Sequence, residues 1–259
     1  MSGLTTTANS ILSATGAAPC ERSRIQIDHR YWIAVALSVL AGLALMIDLP
    51  VSQWMHTRQG LKGLHQPLQV VEALGDSVGV AIVLITLSLV TVSRRRELLR
   101  VFFSVLAGGL LADVVKFFVA RLRPRSFPGD GLFHVESVTD TFYGWLPFLQ
   151  SDAVAVGSKY QSFPSAHTAT GFAFAVALTR MYPLGWWWFS FLAAMIALQR
   201  VETGAHYVSD TCFGAAIGLF AALTFQGGTP WSKWFDRHEA CSDKMGMSHV
   251  TTDEASRVP

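Results

Sequence analysis

Charged residues are scarce in this chain of 259 residues: Asp, Glu, Lys and Arg together make up 15%, whereas a soluble domain normally carries about 25%. Hydrophobic residues make up 51%, so the composition argues against an ordinary soluble protein and favours a membrane protein. Cysteine is also rare: three residues without a CxxC pair indicate neither a disulfide framework nor a cysteine metal site. Residues 1–30 lack a continuous apolar core, so no cleaved signal peptide is expected.

Six apolar runs can form membrane-spanning helices, which need about 20 mainly apolar residues each. Three of the runs are shorter, but flanking residues and helix tilt can compensate. Segment 51–76 alternates apolar and polar residues and is predicted to be an amphipathic segment in the membrane interface. The sequence therefore predicts an all-α, polytopic membrane protein, with a six-helix domain at 31–226 between polar tails at 1–30 and 227–259. The six runs are residues 31–49, 77–93, 101–120, 167–182, 184–199 and 206–226.

The basic residues indicate the orientation of these helices. If the N-terminus is cytoplasmic, six spans place the C-terminus there too, and 12 of the 20 Lys and Arg residues lie on the cytoplasmic side. The triple arginine at 94–96 is the strongest single indication. Cytoplasmic loops carry the excess of Lys and Arg, so this orientation is the predicted one. It places three polar motifs together on the outer side of the membrane.

The first motif combines Lys116, Arg123 and Pro124. Lys116 lies inside an apolar run, one helical turn after Asp113. An ionisable residue inside a span is costly and usually faces the protein interior. Pro124 is expected to end the helix, so that Lys116 and Arg123 point at a common anion. The alternative is a basic helix end that contacts lipid head groups.

The second motif covers residues 162–167. Ser165 is predicted to cap a helix N-terminus, where free N–H groups and a partial positive charge suit a phosphate group. In the first turn, His167 can donate to a phosphate oxygen or protonate a leaving oxygen. The alternative is a helix start with a purely structural histidine.

The third motif contains Arg200, His206 and Asp210. His206 and Asp210 are four residues apart and share a face if they lie on a helix. A carboxylate on one ring nitrogen fixes the imidazole tautomer and leaves the other nitrogen as a nucleophile. Arg200 offers a bidentate fork for phosphate oxygens. The alternative is a buried, ion-paired His–Asp couple.

The three segments resemble the motifs of the type 2 phosphatidic acid phosphatase (PAP2) superfamily, K-x6-R-P, P-S-G-H and S-R-x5-H-x3-D. The intervening gaps, 39 residues (125–163) and 31 residues (168–198), fit that family. Two positions depart from the pattern: Ala166 replaces a glycine and Gln199 replaces a serine. Because Ala166 keeps the backbone N–H, little loss of activity is expected.

This resemblance implies an integral membrane lipid phosphatase that needs no metal or other cofactor. His206 would be the nucleophile that forms a phosphohistidine, Asp210 would orient it, and His167 would protonate the leaving group. The residues implied to bind the phosphoryl group are Lys116, Arg123, Ser165, Ala166 and Arg200.

Candidate substrates are phosphate monoesters or pyrophosphates of membrane lipids: undecaprenyl pyrophosphate, phosphatidylglycerol phosphate or lipid A 1-phosphate. The expected location is the bacterial plasma (inner) membrane, with the site facing the periplasm. The expected partners are the substrate and the bilayer, no nucleic acid is expected, and the oligomeric state stays open. The long aromatic loop 125–163 is predicted to be a partly ordered cover that shapes substrate choice.

Three other functions compete with this interpretation. A lipid phosphotransferase would use the same site. An anion transporter is disfavoured because the charges gather at one interface instead of the bilayer midplane. A vanadate-dependent haloperoxidase shares the motif pattern but is a soluble protein, which six spans disfavour.

Overall fold

The computed structural model describes residues 30–57, 63, 65–145, 158–226 and 228–237. Helices account for most of these residues, joined by short 3-10 turns. Residues 230–237, inside the segment interpreted as a polar tail, form helix α9. Residues 1–29 lie outside the described residues. The longer helices are α1 (Tyr31–Ala44), α2 (Asp48–Thr57), α3 (His65–Glu72), α4 (Ser77–Val90), α5 (Arg95–Phe118), α6 (Ala166–Met181), α7 (Trp186–Glu202) and α8 (Val208–Gln226).

Each predicted apolar run is helical over most of its length, and a turn at residues 182–185 separates α6 from α7. Judged by length and composition, two helical segments of the described chain can cross a membrane, Val92–Phe118 and Val208–Gln226. The number rises to four if α1 with α2, bent by 70°, and His65–Gly75 with α4, bent by 71°, each form one span. Six spans are not confirmed, because α6 and α7 have only 16 and 17 residues and a span needs about 20.

A small sheet corrects the all-α prediction. Strand β1 (Val119–Arg121) pairs antiparallel with β2 (Phe142–Trp145). Helix α5 therefore ends at Phe118 instead of continuing to Pro124. The helix ends here because Val119, a β-branched residue, has extended backbone angles. From Val119 on, the main chain forms hydrogen bonds with β2 instead of helical ones.

The segment predicted to be amphipathic, 51–76, contributes most of α2 and all of α3, while residues 58–62 and 64 lie outside the described part. The sharp bends on either side of it turn α2 and α3 away from α1 and α4. Its place in a membrane interface stays a prediction.

Helices α6 and α8 form the centre of the fold. Helix α8 packs against α1, α5 and α6, and α6 also packs against α5 and α7. A Cβ atom at Gly214 or Gly218 would collide with main-chain carbonyl groups of Ser165 and Ala169, so the backbones of the two helices touch at glycine. Small residues permit this close approach between membrane helices.

Large apolar side chains are exposed on the outer faces of the helices. Trp32 of α1, Ile85 of α4, Phe117 of α5 and Trp187 of α7 are each about 60–70% exposed. An apolar surface of this extent is unusual for a soluble monomer and is typical of contact with lipid. The surface therefore agrees with the composition in indicating an integral membrane protein.

Candidate active site

A buried arginine joins three distant parts of the chain beneath the third motif. The guanidinium of Arg121 donates to Asp48 of α2 (2.7 Å), to Ser209 (2.8 Å) and to the carboxylate of Asp210 in α8 (2.5 Å). The two carboxylates and the guanidinium are fully buried. The ring of Tyr207 stacks on the guanidinium with a centroid distance of 3.9 Å. This network fixes the start of α8.

The imidazole of His206 is held by the main chain. Its Nδ1 lies 2.5 Å from the carbonyl oxygen of Ser162, and a carbonyl only accepts, so Nδ1 carries the proton. The carboxylate of Asp210 is 3.7 Å from the same nitrogen. It instead accepts hydrogen bonds from the Ser162 hydroxyl (2.6 Å) and from the Tyr207 N–H (2.9 Å). Nε2 of His206 is therefore the nitrogen left for chemistry.

The second motif begins α6 as predicted. Ser165 is the N-cap residue, and its hydroxyl accepts from the N–H of Thr168. Its own N–H donates to the carbonyl oxygen of Asp210 at 3.1 Å, which ties the start of α6 to the first turn of α8. Ala166 and His167 are the first two residues of α6, and both are partly exposed. The first turn of α6 therefore opens beside His206.

His167 lies within electrostatic range of both His206 and Arg200. Its Nε2 is 3.8 Å from a carboxylate oxygen of Asp76, the N-cap residue of α4. Burial and the positive charge of Arg200 oppose protonation of the imidazole, whereas the Asp76 carboxylate and any anion bound beside it favour protonation. His167 can therefore take up a proton when an anion occupies the site.

Arg200 has partners that sequence reasoning did not predict. Its Nη2 donates to the carboxylate of Glu72 at the end of α3, and its Nε donates to the side-chain oxygen of Gln199 (2.6 Å). Gln199 in turn donates to the other oxygen of Glu72 (2.6 Å). Glu72, Gln199 and Arg200 therefore form a closed ring of hydrogen bonds. Glu72 occupies the guanidinium group of Arg200, which was expected to bind phosphate.

Arg123 of the first motif lies on the loop after β1. In space it is close to the second and third motifs. Its guanidinium donates to the carbonyl oxygens of Ser158 (3.0 Å) and Gln161 (3.3 Å). Burial and the nearby charges of Arg125 and Arg200 lower the pKa of Arg123 from its usual value, although it stays protonated at neutral pH. Of the described cations Arg123, Arg125 and Arg200, only Arg200 is paired with a carboxylate, so these three carry a net positive charge that suits an anion.

Lys116 of the first motif contacts a carboxylate of its own helix. Its ammonium group donates to Asp113 at 2.8 Å, which confirms the predicted contact one helical turn apart. Among the described residues, Asp113 is its only polar partner. The expectation that Lys116 and Arg123 point at one anion stays a prediction: Lys116 lies on α5, which ends at Phe118, and Arg123 lies on the loop after β1.

Four residues of the site were missed at the level of sequence: Asp48, Glu72, Arg121 and Ser162. Asp48 lies near the end of the apolar run 31–49. An ionisable residue in such a run usually faces the protein interior, so the argument applied to Lys116 could also have identified Asp48. Arg121 and Ser162 lie within the first and second motifs and Glu72 lies outside all three, but no local pattern predicts their contacts, because their partners are distant in sequence. In the described part of the chain, no three His, Cys, Asp or Glu side chains are grouped to hold a metal ion.

Residues 97–233, which contain all three motifs, match the family model described as the PAP2 superfamily. The chain belongs to the PAP2 superfamily. In this PAP2 protein, the motif residues His167, Arg200, His206 and Asp210 meet at the junction of α6, α7 and α8.

Two curated relatives of this PAP2 chain are named Lipid A 1-phosphatase. Those from Rhizobium johnstonii and Rhizobium etli are both 34% identical, over 122 and 124 residues. The alignments cover 47% and 48% of this chain but 43% and 47% of the relatives, so the chain spans less than half their length. Lipid phosphate phosphatase 2 of Arabidopsis thaliana is 29% identical over 195 residues, which is 60% of this chain and 62% of that protein.

Two solved structures share the fold. The transmembrane PAP2-type phosphatidylglycerolphosphate phosphatase from Bacillus subtilis has a TM-score of 0.55 at 16% identity, covering 77% of this chain and 96% of that one. LpxE from Aquifex aeolicus has a TM-score of 0.50 at 21% identity, covering 68% and 93%. At these identities the likeness shows the fold: the helical framework of PAP2 membrane phosphatases.

Proposed function

We propose that this PAP2 protein is an integral membrane lipid phosphatase that works through a phosphohistidine on His206. The observation that carries the proposal is the hydrogen bond from Nδ1 of His206 to the carbonyl oxygen of Ser162. It fixes the tautomer in which Nε2 has a free lone pair, as a nucleophile requires. The neighbouring arginines supply the positive charge that a phosphate needs.

The phosphoryl oxygens bind between the arginines and the start of α6. Arg123 and Arg200 supply charge, and the first turn of α6 supplies main-chain N–H groups, including that of Ala166 beside Ser165. Arg200 exchanges part of its contact with Glu72 for phosphate. Lys116 takes part only if its ammonium group leaves Asp113.

The reaction then proceeds in two displacements. Nε2 of His206 attacks phosphorus, the bond from phosphorus to the leaving oxygen breaks, and His167 gives its proton to that oxygen. A water molecule next attacks the phosphohistidine, loses a proton to His167 and releases inorganic phosphate. Through both steps Asp210, anchored by Arg121, stabilises the positive charge on the His206 ring from 3.7 Å. The cations stabilise the charge that develops on the phosphoryl oxygens.

The proposed topology has six spans, cytoplasmic termini and a site that opens to the periplasmic side of a bacterial plasma membrane. The distribution of Lys and Arg supports this orientation. For six spans, α6 and α7 must be completed by their flanking turns. The names of the two Rhizobium relatives favour lipid A 1-phosphate as the substrate. Phosphatidylglycerol phosphate and undecaprenyl pyrophosphate are the other candidates.

The test is phosphate release from these three lipids by the purified full chain in detergent with EDTA. We expect His206→Ala to lower kcat by at least about 10³-fold, as loss of a nucleophile does in other enzymes. His134→Ala is the matched control, because His134 is an exposed histidine of the loop at Gly131–His134. Equal rates for wild type and His206→Ala would rule out the proposed nucleophile. Phosphate appearing on a second lipid, without release, would favour the phosphotransferase.

A further inference from the structure

A cavity lies beside the candidate active site. Its volume is about 410 Å³, within the usual range for a small-molecule site and much larger than a phosphate ion needs. Four elements line it: α2, α3, the loop after β1 and the turn that leads from Arg200 to His206. The cavity therefore adjoins the site along the chain that carries the nucleophile.

The polar lining centres on a carboxylate and two histidines. Glu202, at the end of α7, is 4% exposed, and both its oxygens lie 3.1–3.2 Å from Nδ1 of His65. Gln69 donates to the other ring nitrogen of His65 at 2.8 Å, so Nδ1 carries the proton that Glu202 accepts. His56 of α2 lines the opposite wall. A nearly buried carboxylate beside imidazoles offers both acceptors and donors to hydroxyl groups.

Arg125 marks the boundary between the cavity and the phosphate site. It lines the cavity, and its charge also acts on Arg123 and Arg200. Its N–H donates to the carbonyl oxygen of Gly204 (2.9 Å), at a turn where φ is +62° and a Cβ atom would come within 3.3 Å of Arg125. Among the described residues, its guanidinium has no carboxylate partner. An anion can therefore reach it from either side.

The walls of the cavity are fixed to one another. Gln53 of α2 donates to the carbonyl oxygen of Leu132 (3.1 Å), and the ring of His56 packs edge-on against Phe133 at a centroid distance of 5.7 Å. This part of the long aromatic loop thus closes one side of the cavity. Residues 132–133 of the loop predicted to be a cover therefore lie next to α2, while residues 146–157 of that loop lie outside the described residues.

We propose that this cavity binds a hydroxyl-rich head group, a sugar or polyol, to which the scissile phosphate is esterified. Phosphate would sit among Arg123, Arg200 and the start of α6, and the head group would reach past Arg125 towards Glu202 and His65. Met55, Pro124 and Leu132 give the cavity an apolar wall on which a sugar ring can pack. An alkyl chain, in contrast, would give Glu202, His65 and Arg125 no hydrogen bonds. The inference rests on the proposed phosphatase function and narrows its substrate class to phosphorylated glycolipids or polyol lipids.

Binding measurements can test this subsite separately from catalysis. The nucleophile variant His206→Ala is titrated calorimetrically with inorganic phosphate and with a soluble sugar 1-phosphate. A second protein carries His56→Trp in addition, which fills the cavity from an exposed position on α2. A third carries Thr57→Trp, a matched control on the next, exposed residue, which does not line the cavity.

We expect the sugar 1-phosphate to bind at least tenfold more tightly than inorganic phosphate, and this advantage to vanish with His56→Trp but to persist with Thr57→Trp. Equal affinities for the two ligands, including failure of both to bind, would overturn the subsite. So would an advantage that survives His56→Trp. Hydrolysis of lipid by the wild type tests the phosphatase function independently. If the wild type releases phosphate but the two ligands bind equally, only the subsite is refuted. If the sugar 1-phosphate binds selectively but no phosphate is released, only the phosphatase function is refuted.

Discussion

Replacing Arg121 with methionine should damage both the stability and the activity of this protein. The substitution keeps an unbranched side chain in place of the aliphatic part of arginine but removes the cation between Asp48 and Asp210, which are both fully buried. Breaking a buried ion pair by removing one partner costs about 3–5 kcal/mol in free energy of unfolding. The lower end applies here, because Ser209 still donates to Asp48, and Ser162 and Tyr207 still donate to Asp210.

A loss of about 3 kcal/mol corresponds to a fall in Tm of about 6–12 °C for a chain of this size. We would measure it by thermal unfolding in detergent, with phosphate release assayed on the same samples. Arg95→Met is the matched control, since Arg95 is an exposed residue at the opposite end of α5. Adding Asp48→Asn to Arg121→Met should restore more than 1 kcal/mol, because one of the two unpaired carboxylates is then neutral. A Tm within about 2 °C of wild type for Arg121→Met would refute this reasoning.

Three further substitutions test other contacts of the site. Glu72→Gln can keep the single hydrogen bond from Arg200, although its amide nitrogen cannot accept from Gln199. It removes a carboxylate that competes with phosphate in the proposed site, so KM should fall about threefold to tenfold in steady-state assays; a higher KM would show that the charge of Glu72 helps binding. Ser162→Ala removes one buried hydrogen bond to Asp210 and should cost about 1–3 kcal/mol in thermal unfolding, yet kcat should stay within about tenfold because the main-chain carbonyl still holds the imidazole. Gly214→Ala forces α8 away from α6 and should lower both Tm and kcat; wild-type values for both would contradict the close packing inferred there.

The motif residues were predictable because their types and spacing are set by the chemistry they share. His206 and Asp210 lie four residues apart across the start of α8, and Ser165 with His167 lies at a helix start, so short-range rules were sufficient. The direct partner of His206, the main-chain carbonyl oxygen of Ser162, was not predictable, because every residue has such an oxygen and no residue type marks it. Sequence reasoning gave Asp210 the orienting role, whereas the structure places the Ser162 carbonyl closer to the ring.

The errors of fold have a related origin. Hydrophobic runs located the helices well, but they carry no information on strand pairing between residues 119–121 and 142–145, which brings Arg121 under the site. Hydropathy also cannot report bends, and two bends of about 70° separate the helices of the first half. Glu72 was inside a segment interpreted only as amphipathic, so its pairing with Arg200 had no sequence signal except its charge.

The buried arginine network has a consequence for how the protein is made. Its members are encoded far apart: Asp48 precedes Arg121 by 73 residues, and Asp210 follows it by 89. At translation rates of about 5–20 residues per second, Arg121 leaves the ribosome about 4–18 s before Asp210. During that interval Asp48 is the carboxylate already available to it, so the first half of the chain can neutralise this charge by itself. The proposed nucleophile, His206, then gains its partners only when α8 is in place, so a nascent or truncated chain is not expected to attack the lipids around it.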